Sequence, residues 1–410
     1  MYRRLILPCA AILILAAVAL SGCGSIGRTG AQIRTWLAQR AERHVLVAIY
    51  WATDGPNWSY SANWLTIEPV TGIEAIDNAL GFGSVCTWDG VECADDQHVT
   101  GLSLYINNPN ATIPPEIGNL HNLVWLDLAG NQLTSLPPEI GRLQSLQQLY
   151  LNENELTSLP SEIGQLSNLR ELHLCNNQLA SLPPEIGQLR NLERLELGSN
   201  QLVALPPEIS QLQNLTDLAL SGNRLATLPP EIGQLQNLRT LYVDGNNLTS
   251  LPPEIGLLQS LRELNLSGNQ LASPLPEFGE LQRLISLHLD DNQLTSLPPE
   301  IGQIRNLTHL SLSNNHLTNL PPEIGQTQRL NSLYLDGNQL TNLPPEIGQL
   351  QNLIHLSLSN NRLTSLPPEI SQLQNLRWLS LGSGALPSLP PEVCQMDIEV
   401  DIDITPLCGG

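Results

Sequence analysis

The feature that most constrains this chain is an asparagine that returns every 23 residues. The regular series consists of Asn131, Asn154, Asn177, Asn200, Asn223, Asn246, Asn269, Asn292, Asn315, Asn338 and Asn361. Asn107 precedes this series by 24 residues, and Gly384 takes the place of the asparagine in the last of 13 copies. A fixed period of this size is the signature of a solenoid, in which each copy forms one coil.

One copy, residues 123–145, reads LVWLDLAGNQLTSLPPEIGRLQS. Its segment Leu126-Asp127-Leu128 alternates apolar and polar side chains, which predicts a short strand with both leucines directed inward. A single copy cannot bury these leucines, so neighbouring copies must stack to close the core. The pattern therefore predicts coils whose strands lie side by side in one parallel sheet.

The rest of the copy predicts a turn, an extended segment and a short helical piece. Asn131 follows the strand, where a buried amide can bond unpaired backbone groups of the turn and of the next coil. Pro137 and Pro138 predict an extended segment that joins no ladder. Glu139 suits the first turn of a helical piece, and Gly141 suits a helix exit that needs a positive φ.

The pattern LxxLxLxxNxLxxLPxxIxxL resembles the leucine-rich repeat in its 23-residue bacterial form, over roughly residues 99–393. This resemblance implies an α/β solenoid, a horseshoe with a parallel concave sheet of about 13 strands that is capped at both ends. It also implies that the concave face binds another molecule. We assign the repeats to residues 99–388.

Composition restricts the partners that such a surface can bind. All 18 basic residues are arginines, and the formal net charge is −21. Removal of residues 1–22 takes away Arg3 and Arg4 and leaves −23. A strongly acidic chain argues against a nucleic-acid partner, because such binding needs a basic stripe.

The N-terminus has the pattern of a secretory signal. Residues 1–22 begin with basic residues and continue with the apolar stretch Leu5–Leu20. Leu20-Ser21-Gly22-Cys23 resembles the bacterial lipobox, which implies that Cys23 is lipidated on sulfur and starts the mature chain. Residues 23–30 would then form a lipidated tether. The alternatives are a different cleavage site or an uncleaved membrane anchor, for which the apolar stretch is short.

Residues 31–98 are expected to form an N-terminal cap, because the end of a solenoid exposes leucines that a terminal unit must cover. Their CTWDGVEC segment resembles the N-terminal cap of plant-type leucine-rich repeat proteins. We expect its Cys86 and Cys93 to pair in an oxidising envelope. Three tryptophans are expected in the core of this cap rather than on a ligand platform: Trp58, Trp64 and Trp88.

The remaining cysteines predict a second cap. Residues 389–410 contain Cys394 and Cys408, which bracket an acidic tail and are expected to staple a C-terminal cap. Cys9 leaves with the signal peptide. Cys175 has no remaining partner, so we expect it to be a free thiol.

No catalytic constellation is present in the sequence. It contains no HExxH, P-loop, CxxC or kinase signature, and the absence of lysine excludes Schiff-base and Ser-Lys chemistry. His288 and His309 lie on neighbouring predicted strands close to Asp290 and Asp291, a set that would suit a metal. Unpaired histidines on strands are commoner than such sites. We therefore predict a non-enzymatic protein with no cofactor and no metal.

The strand positions that flank the inward leucines vary from copy to copy, so they are the candidates for partner binding. Aromatic side chains on a rigid concave surface suit binding hot spots, and the alternative is ordinary packing between strands. The candidate residues are Trp125, Asp127, Tyr150, Glu171, His173, Glu196, Asp217, Tyr242, Asp244, Tyr334 and Trp378.

The charge at four outward positions per copy is almost all negative. Arg194 is the only base among these positions. The acids are Asp127, Glu153, Glu171, Glu196, Asp217, Asp244, Glu263, Asp290, Asp291 and Asp336. A field of one sign steers cationic partners and repels anionic ones. We predict a monomer, lipid-anchored outside the cytoplasm, that binds a basic or neutral protein surface; the alternatives are a binder of envelope glycan and a structural spacer.

Overall fold

The computed structural model describes residues 30–53, 85–94, 98–104, 112–272, 276–382, 386–402 and 407–408. The predictions for the signal peptide, Cys23, Trp58, Trp64, Asn107 and Gly384 lie outside these residues. Within the described ranges, no helix combines the length and the apolar character that crossing a bilayer requires.

In the described residues, fifteen short strands, paired in chain order, form one open sheet. Strands β1 and β2 are antiparallel, and each later strand runs parallel to the one before it. The strands are β1 Val91–Ala94, β2 His98–Ser103, β3 Trp125–Asp127, β4 Gln148–Tyr150, β5 Glu171–His173, β6 Arg194–Glu196, β7 Asp217–Ala219, β8 Thr240–Tyr242, β9 Glu263–Asn265, β10 Ser286–His288, β11 His309–Ser311, β12 Ser332–Tyr334, β13 His355–Ser357, β14 Trp378–Ser380 and β15 Glu399–Val400. The predicted solenoid with about 13 repeat strands is confirmed by β2 to β14, and β1 and β15 extend the sheet at its ends.

The register follows the repeat. Leu126 pairs with Leu149, 23 residues further on, and the next strands continue the same offset. Both leucines are completely buried, as is Leu128. Because each coil supplies its apolar residues at the same points, stacking produces one continuous core along the molecule.

The framework asparagine joins neighbouring coils. The Nδ2 atom of Asn223 donates to the carbonyls of Leu220 in its own coil and Leu197 in the preceding coil, each at 2.9 Å. Its Oδ1 atom accepts the N–H of Leu202, also in the preceding coil, at 3.0 Å. The same bonds occur from Asn154 to Asn361. We expected the side chain to bond the coil after it, and that direction was wrong.

A left-handed residue stands directly before the asparagine. It has a positive φ in eleven successive copies, at Gly130, Glu153, Asn176, Ser199, Gly222, Gly245, Gly268, Asp291, Asn314, Gly337 and Asn360. Glycine, asparagine and aspartate tolerate this conformation best, which explains why they fill most of these places. This turn brings the asparagine side chain back under the strand.

The Pro-Pro-Glu motif begins a 3₁₀ helix in most coils, and Pro160-Ser161-Glu162 and Leu275-Pro276-Glu277 replace it in two of them. Pro137 is extended (φ −70°, ψ 145°), as predicted, and Glu139 lies in the first turn of the helix that follows. The described helices of this type are Pro115–Asn119, Pro138–Arg142, Ser161–Gln165, Pro184–Gln188, Pro207–Gln211, Pro230–Gln234, Pro253–Leu257, Pro276–Glu280, Pro299–Gln303, Pro322–Gln326, Pro345–Gln349 and Pro368–Gln372.

Gly141 has a different role from the one predicted. It lies inside a 3₁₀ helix without a positive φ, and a Cβ atom there would lie 2.5 Å from the carbonyl oxygen of Glu162 in the next coil. Glycine therefore allows close packing between coils. Ser210 and Ser371 take this place in two other copies, so those coils accommodate a Cβ atom.

The N-terminal end of the stack is covered by helix α1, Gly30–Ala52. Its Leu46 and Ile49 are completely buried in the common core, and Trp88 of the cap is buried in the same core, as expected. Cys86 and Cys93 form the predicted disulfide, with an S–S distance of 2.02 Å.

The C-terminal end is covered by the short helix α2, Pro391–Cys394, and by β15. Val393 of this helix is buried in the core. Cys394 and Cys408 form the second predicted disulfide, and Cys175 is a free cysteine.

Asn223→Ala should lower the free energy of unfolding by roughly 2–4 kcal/mol, because it leaves buried backbone groups of two coils without partners. Urea denaturation followed by circular dichroism measures the loss. The matched control is Gln178→Ala at an exposed position, which should cost less than about 0.5 kcal/mol. Equal losses would show that the asparagine does not link the coils energetically.

Candidate functional site: the concave face

The concave face consists of the side chains that flank the buried leucines of the repeat strands. Ten of the eleven predicted partner-binding residues are half-buried there. His173 is the exception: it is buried, with 9% of its surface exposed. It was predicted as an outward position open to a partner, and its neighbours on adjacent strands explain the difference.

Tyr150 and two glutamates enclose His173. The Tyr150 and His173 rings stack with centroids 4.7 Å apart and an interplanar angle of 22°. The His173 Nδ1 atom lies 2.8 Å from Glu196 Oε2, and Nε2 lies 3.3 Å from Glu171 Oε2. The imidazole is therefore held in one orientation between two carboxylates.

Arg194 extends this cluster to the next strand. Its guanidinium lies 3.7 Å from Glu171 Oε1 and 3.8 Å from Asp217 Oδ2. The Arg194 side chain is half exposed, so these ion pairs are solvated and weak. Acidic groups consequently outnumber the one base at this point of the sheet.

A shallow groove lies beside the cluster. It is lined by Arg194, Glu196, Asp217, Leu218, Ala219, Thr240 and Tyr242. Ala219 pairs in register with Glu196 on one side and Tyr242 on the other, so a small side chain stands between two large ones. Ala219 is not among the residues predicted from the sequence, because only large and charged residues were expected to bind a partner. The signal for the groove is a small residue at a position that is large in the neighbouring copies.

Tyr242 forms the far wall of the groove. Its hydroxyl donates to Glu263 Oε2 at 2.6 Å. This hydrogen bond, together with burial and the charges of Glu263, Asp217 and Asp244, raises the pKa of Tyr242 to about 12. Burial and the nearby carboxylates of Glu171 and Asp127 also raise the pKa of Tyr150.

The C-terminal half of the face carries a run of rings. The His288 and His309 centroids lie 4.9 Å apart, and His309 and Tyr334 follow at 5.2 Å. Burial, and then the charge of His288, lower the pKa of His309, against the opposing effect of Asp290. Among the described residues no three His, Cys, Asp or Glu side chains come together as metal ligands.

Several acids counted on this face also bond within the fold. Asp290 Oδ1 accepts the hydroxyl of Ser311 and the N–H of Ser313, at 2.5 and 2.8 Å. Asp336 makes the equivalent bonds to Ser357 and Ser359 one strand pair later. These aspartates contribute charge, but the Oδ1 atom of each is already occupied.

The two tryptophans lie at the ends of the face. The indole N–H of Trp125 donates to Glu92 Oε2 at 3.0 Å, and its ring covers Gly101, where a Cβ atom would lie 2.2 Å away. Trp378 pairs in register with Glu399 of the C-terminal cap. Trp125 is thus held by the N-terminal cap, which a pattern confined to one repeat did not show.

Arginines line one edge of the sheet, beside the acidic face. The residue directly before each strand also bonds to the equivalent residue of the neighbouring coil through the backbone. Four exposed arginines occupy this position: Arg170, Arg239, Arg262 and Arg377. The strongly negative net charge of the chain therefore does not reveal that arginines are exposed along one edge of the sheet.

These features define a class of protein: an open repeat solenoid that presents a variable sheet face on an invariant core. Family models described as "Leucine-rich repeat region" match residues 102–201 and 287–384, and "Leucine rich repeat" matches residues 213–271. A solved leucine-rich repeat protein of Leptospira interrogans is 47% identical, covers 72% of this chain and 76% of that chain, and has a TM-score of 0.68. The chain belongs to the leucine-rich repeat family.

Two further solved structures are similar. A plant peptide hormone receptor, in complex with RGF2, is 32% identical with a TM-score of 0.64, and the match covers 77% of this chain and 60% of the receptor chain. An internalin of Listeria monocytogenes is 24% identical with a TM-score of 0.64, over 75% of this chain and 91% of that chain, and shows the fold alone. Comparison with curated proteins finds no match.

Glu263→Gln should lower the pKa of Tyr242 from about 12 towards the ordinary value, because it removes the charged acceptor. Tyrosinate absorbance during a pH titration measures the change, with Tyr242→Phe identifying the transition. The folded state keeps this proton where the unfolded chain has lost it. The stabilisation is therefore complete below about pH 10 and declines as the pH rises to about 12. An unchanged titration would show that the Tyr242–Glu263 bond is not formed.

Proposed function

We propose that this protein is a non-enzymatic leucine-rich repeat protein of the cell envelope that binds a protein partner on its concave face. A lipid on Cys23 anchors it outside the cytoplasm, as the lipobox-like sequence suggests. The Cys86–Cys93 and Cys394–Cys408 disulfides support an oxidising compartment. The leucine-rich repeat family supplies binding scaffolds, and the plant receptor named above is in complex with RGF2.

The observation that carries the proposal is the groove over Ala219. A partner side chain entering there meets Tyr242 on one side, Glu196 on the other and Asp217 two residues along the central strand. Arg194 also lines the groove, but it is engaged with Glu171 and Asp217 and is outnumbered by the carboxylates. Carboxylates form charge-assisted hydrogen bonds with a cationic side chain, and an aromatic ring face adds a cation–π attraction. A lysine or arginine of a basic protein surface therefore fits the groove.

The surroundings of the groove favour specific over diffuse binding. Tyr150 and His173 are held by stacking and Tyr242 by its hydrogen bond, so these side chains lose little further freedom when a partner binds. Aromatic groups held in this way are typical hot spots at interfaces. The acids around them raise the rate of association with a basic surface.

Ala219→Leu fills the groove and should weaken binding by about tenfold or more, through faster dissociation, because the partner's side chain loses its place. The partner is first captured from envelopes with the native protein and then measured by surface plasmon resonance. Ala180→Leu, at an exposed position outside the sheet, is the matched control and should leave the affinity unchanged.

Glu196→Gln combined with Asp217→Asn should instead slow association and reduce its dependence on salt, because these charges act over a distance. If neither this pair nor Ala219→Leu changes the binding kinetics, the concave face is not the site. A captured ligand that survives protease treatment would assign the face to a glycan.

The anchor has its own test. Mass spectrometry of the native protein should find a mature chain that starts at Cys23 with a diacylglycerol on its sulfur, and Cys23→Ser should release the protein from the membrane. Two acyl chains are needed because one holds a protein only marginally. A mature start at another residue, or a Cys23→Ser protein that stays bound, would contradict the lipid anchor.

A further inference from the structure

Arginines collect along one side of the solenoid, between each 3₁₀ helix and the strand that follows it. Five successive coils contribute one arginine each to what we call the arginine row, which consists of Arg239, Arg262, Arg283, Arg305 and Arg329. All five side chains are exposed. The row is separate from the concave face and does not depend on the function proposed for that face.

The backbone places the connections that carry these arginines side by side. The N–H of Arg262 donates to the carbonyl of Arg239 at 2.8 Å, and the N–H of Ile285 donates to the carbonyl of Arg262 at the same distance. Successive coils therefore follow at the strand spacing of about 4.8 Å, and five coils span roughly 20 Å. Arg239 and Arg262 stand directly before their strands, whereas Arg283, Arg305 and Arg329 stand three or four residues before theirs, in the same connection.

Most of these guanidinium groups lack a protein partner. Among the described residues, Arg239, Arg262, Arg283 and Arg305 have no side-chain hydrogen bond or ion pair, whereas Arg329 donates to Asn306 Oδ1 at 2.7 Å. In an earlier coil, by contrast, the guanidinium of Arg170 forms an ion pair with Glu193 at 2.8 Å. The connections between helix and strand in these five coils contain no acid, and Glu280 ends the 3₁₀ helix just before one of them.

Acidic groups lie on both sides of the row. The preceding 3₁₀ helices carry Glu231, Glu254, Glu277, Glu300 and Glu323, and the concave face of the same coils carries Asp244, Glu263, Asp290, Asp291 and Asp336. Charges within about 10 Å are not fully screened at 0.1 M salt. A broad anion, such as a bilayer or a nucleic-acid duplex, would meet these acids, whereas one extended chain would contact the arginines alone.

The side chains near the arginines narrow the choice of ligand further. Proteins that bind single-stranded nucleic acid stack bases on aromatic side chains, and this part of the edge has none. It offers instead Leu257 and Ile285, 54% and 40% exposed, against which an apolar ring face can pack. Guanidinium groups bind carboxylate or sulfate oxygens through paired hydrogen bonds. We propose that the arginine row binds a linear acidic polysaccharide.

Binding of the native protein to heparin, alginate and neutral dextran tests this proposal, with affinities measured over a range of salt concentrations. Heparin presents sulfates together with carboxylates, whereas alginate presents carboxylates alone. Binding to heparin without binding to alginate would therefore identify sulfate as the required group. We expect at least one of them to bind, with an affinity that falls as salt rises, and dextran not to bind. Arg239→Gln with Arg262→Gln should weaken binding at least about tenfold.

The chain provides a control with the same change in charge. Arg224 and Arg362 are exposed on the turn after the strand, away from the row, and Arg224→Gln with Arg362→Gln should change the affinity less than about twofold. Thermal melting should be unchanged in both double variants. Equal weakening by the two pairs, failure of both glycans to bind, or tighter binding to polyglutamate or oligothymidine than to either glycan would overturn the proposal.

Discussion

The structure depends on the buried amide of one asparagine per coil. A strand of three residues followed by a sharp turn leaves backbone groups inside the molecule that no ladder can reach, and a buried group without a partner is costly. The amide of Asn223 satisfies two carbonyls and one N–H, and two of these three groups belong to the preceding coil. The same side chain therefore completes the turn and fixes the stacking of neighbouring coils.

Strict stacking has a consequence for the surface. Because residues 23 positions apart lie side by side, substitutions at one point of the repeat accumulate into a row with its own chemistry. Acids and aromatic rings accumulate on the concave face, where His173 contacts Tyr150 and Glu196 although the three residues come from three coils. Arginines accumulate before the strands. A chain of net charge −21 can therefore present an acidic wall and a basic edge at once.

A cap with one disulfide closes each end of the stack. Helix α1 and the β1–β2 pair close one end, and α2 with β15 closes the other, each with a disulfide. The N-terminal cap also reaches the concave face, since Glu92 accepts the indole N–H of Trp125. The first strands of the face are consequently held by the cap, and the middle coils present the side chains that are free to meet a partner.

The sequence by itself determined the solenoid, its strands and the inward leucines, because a regular period repeats the same local demands in every coil. It also determined both disulfides, because each cap holds one pair of cysteines close together in the chain. Only the tertiary structure decided which neighbours a side chain meets. His173 is buried between two glutamates, and a groove lies over Ala219. The positive φ expected at Gly141 occurs instead at the residue before the asparagine. These outcomes depend on contacts across coils, at distances of 21 to 26 residues in the chain, which a pattern within one repeat does not contain.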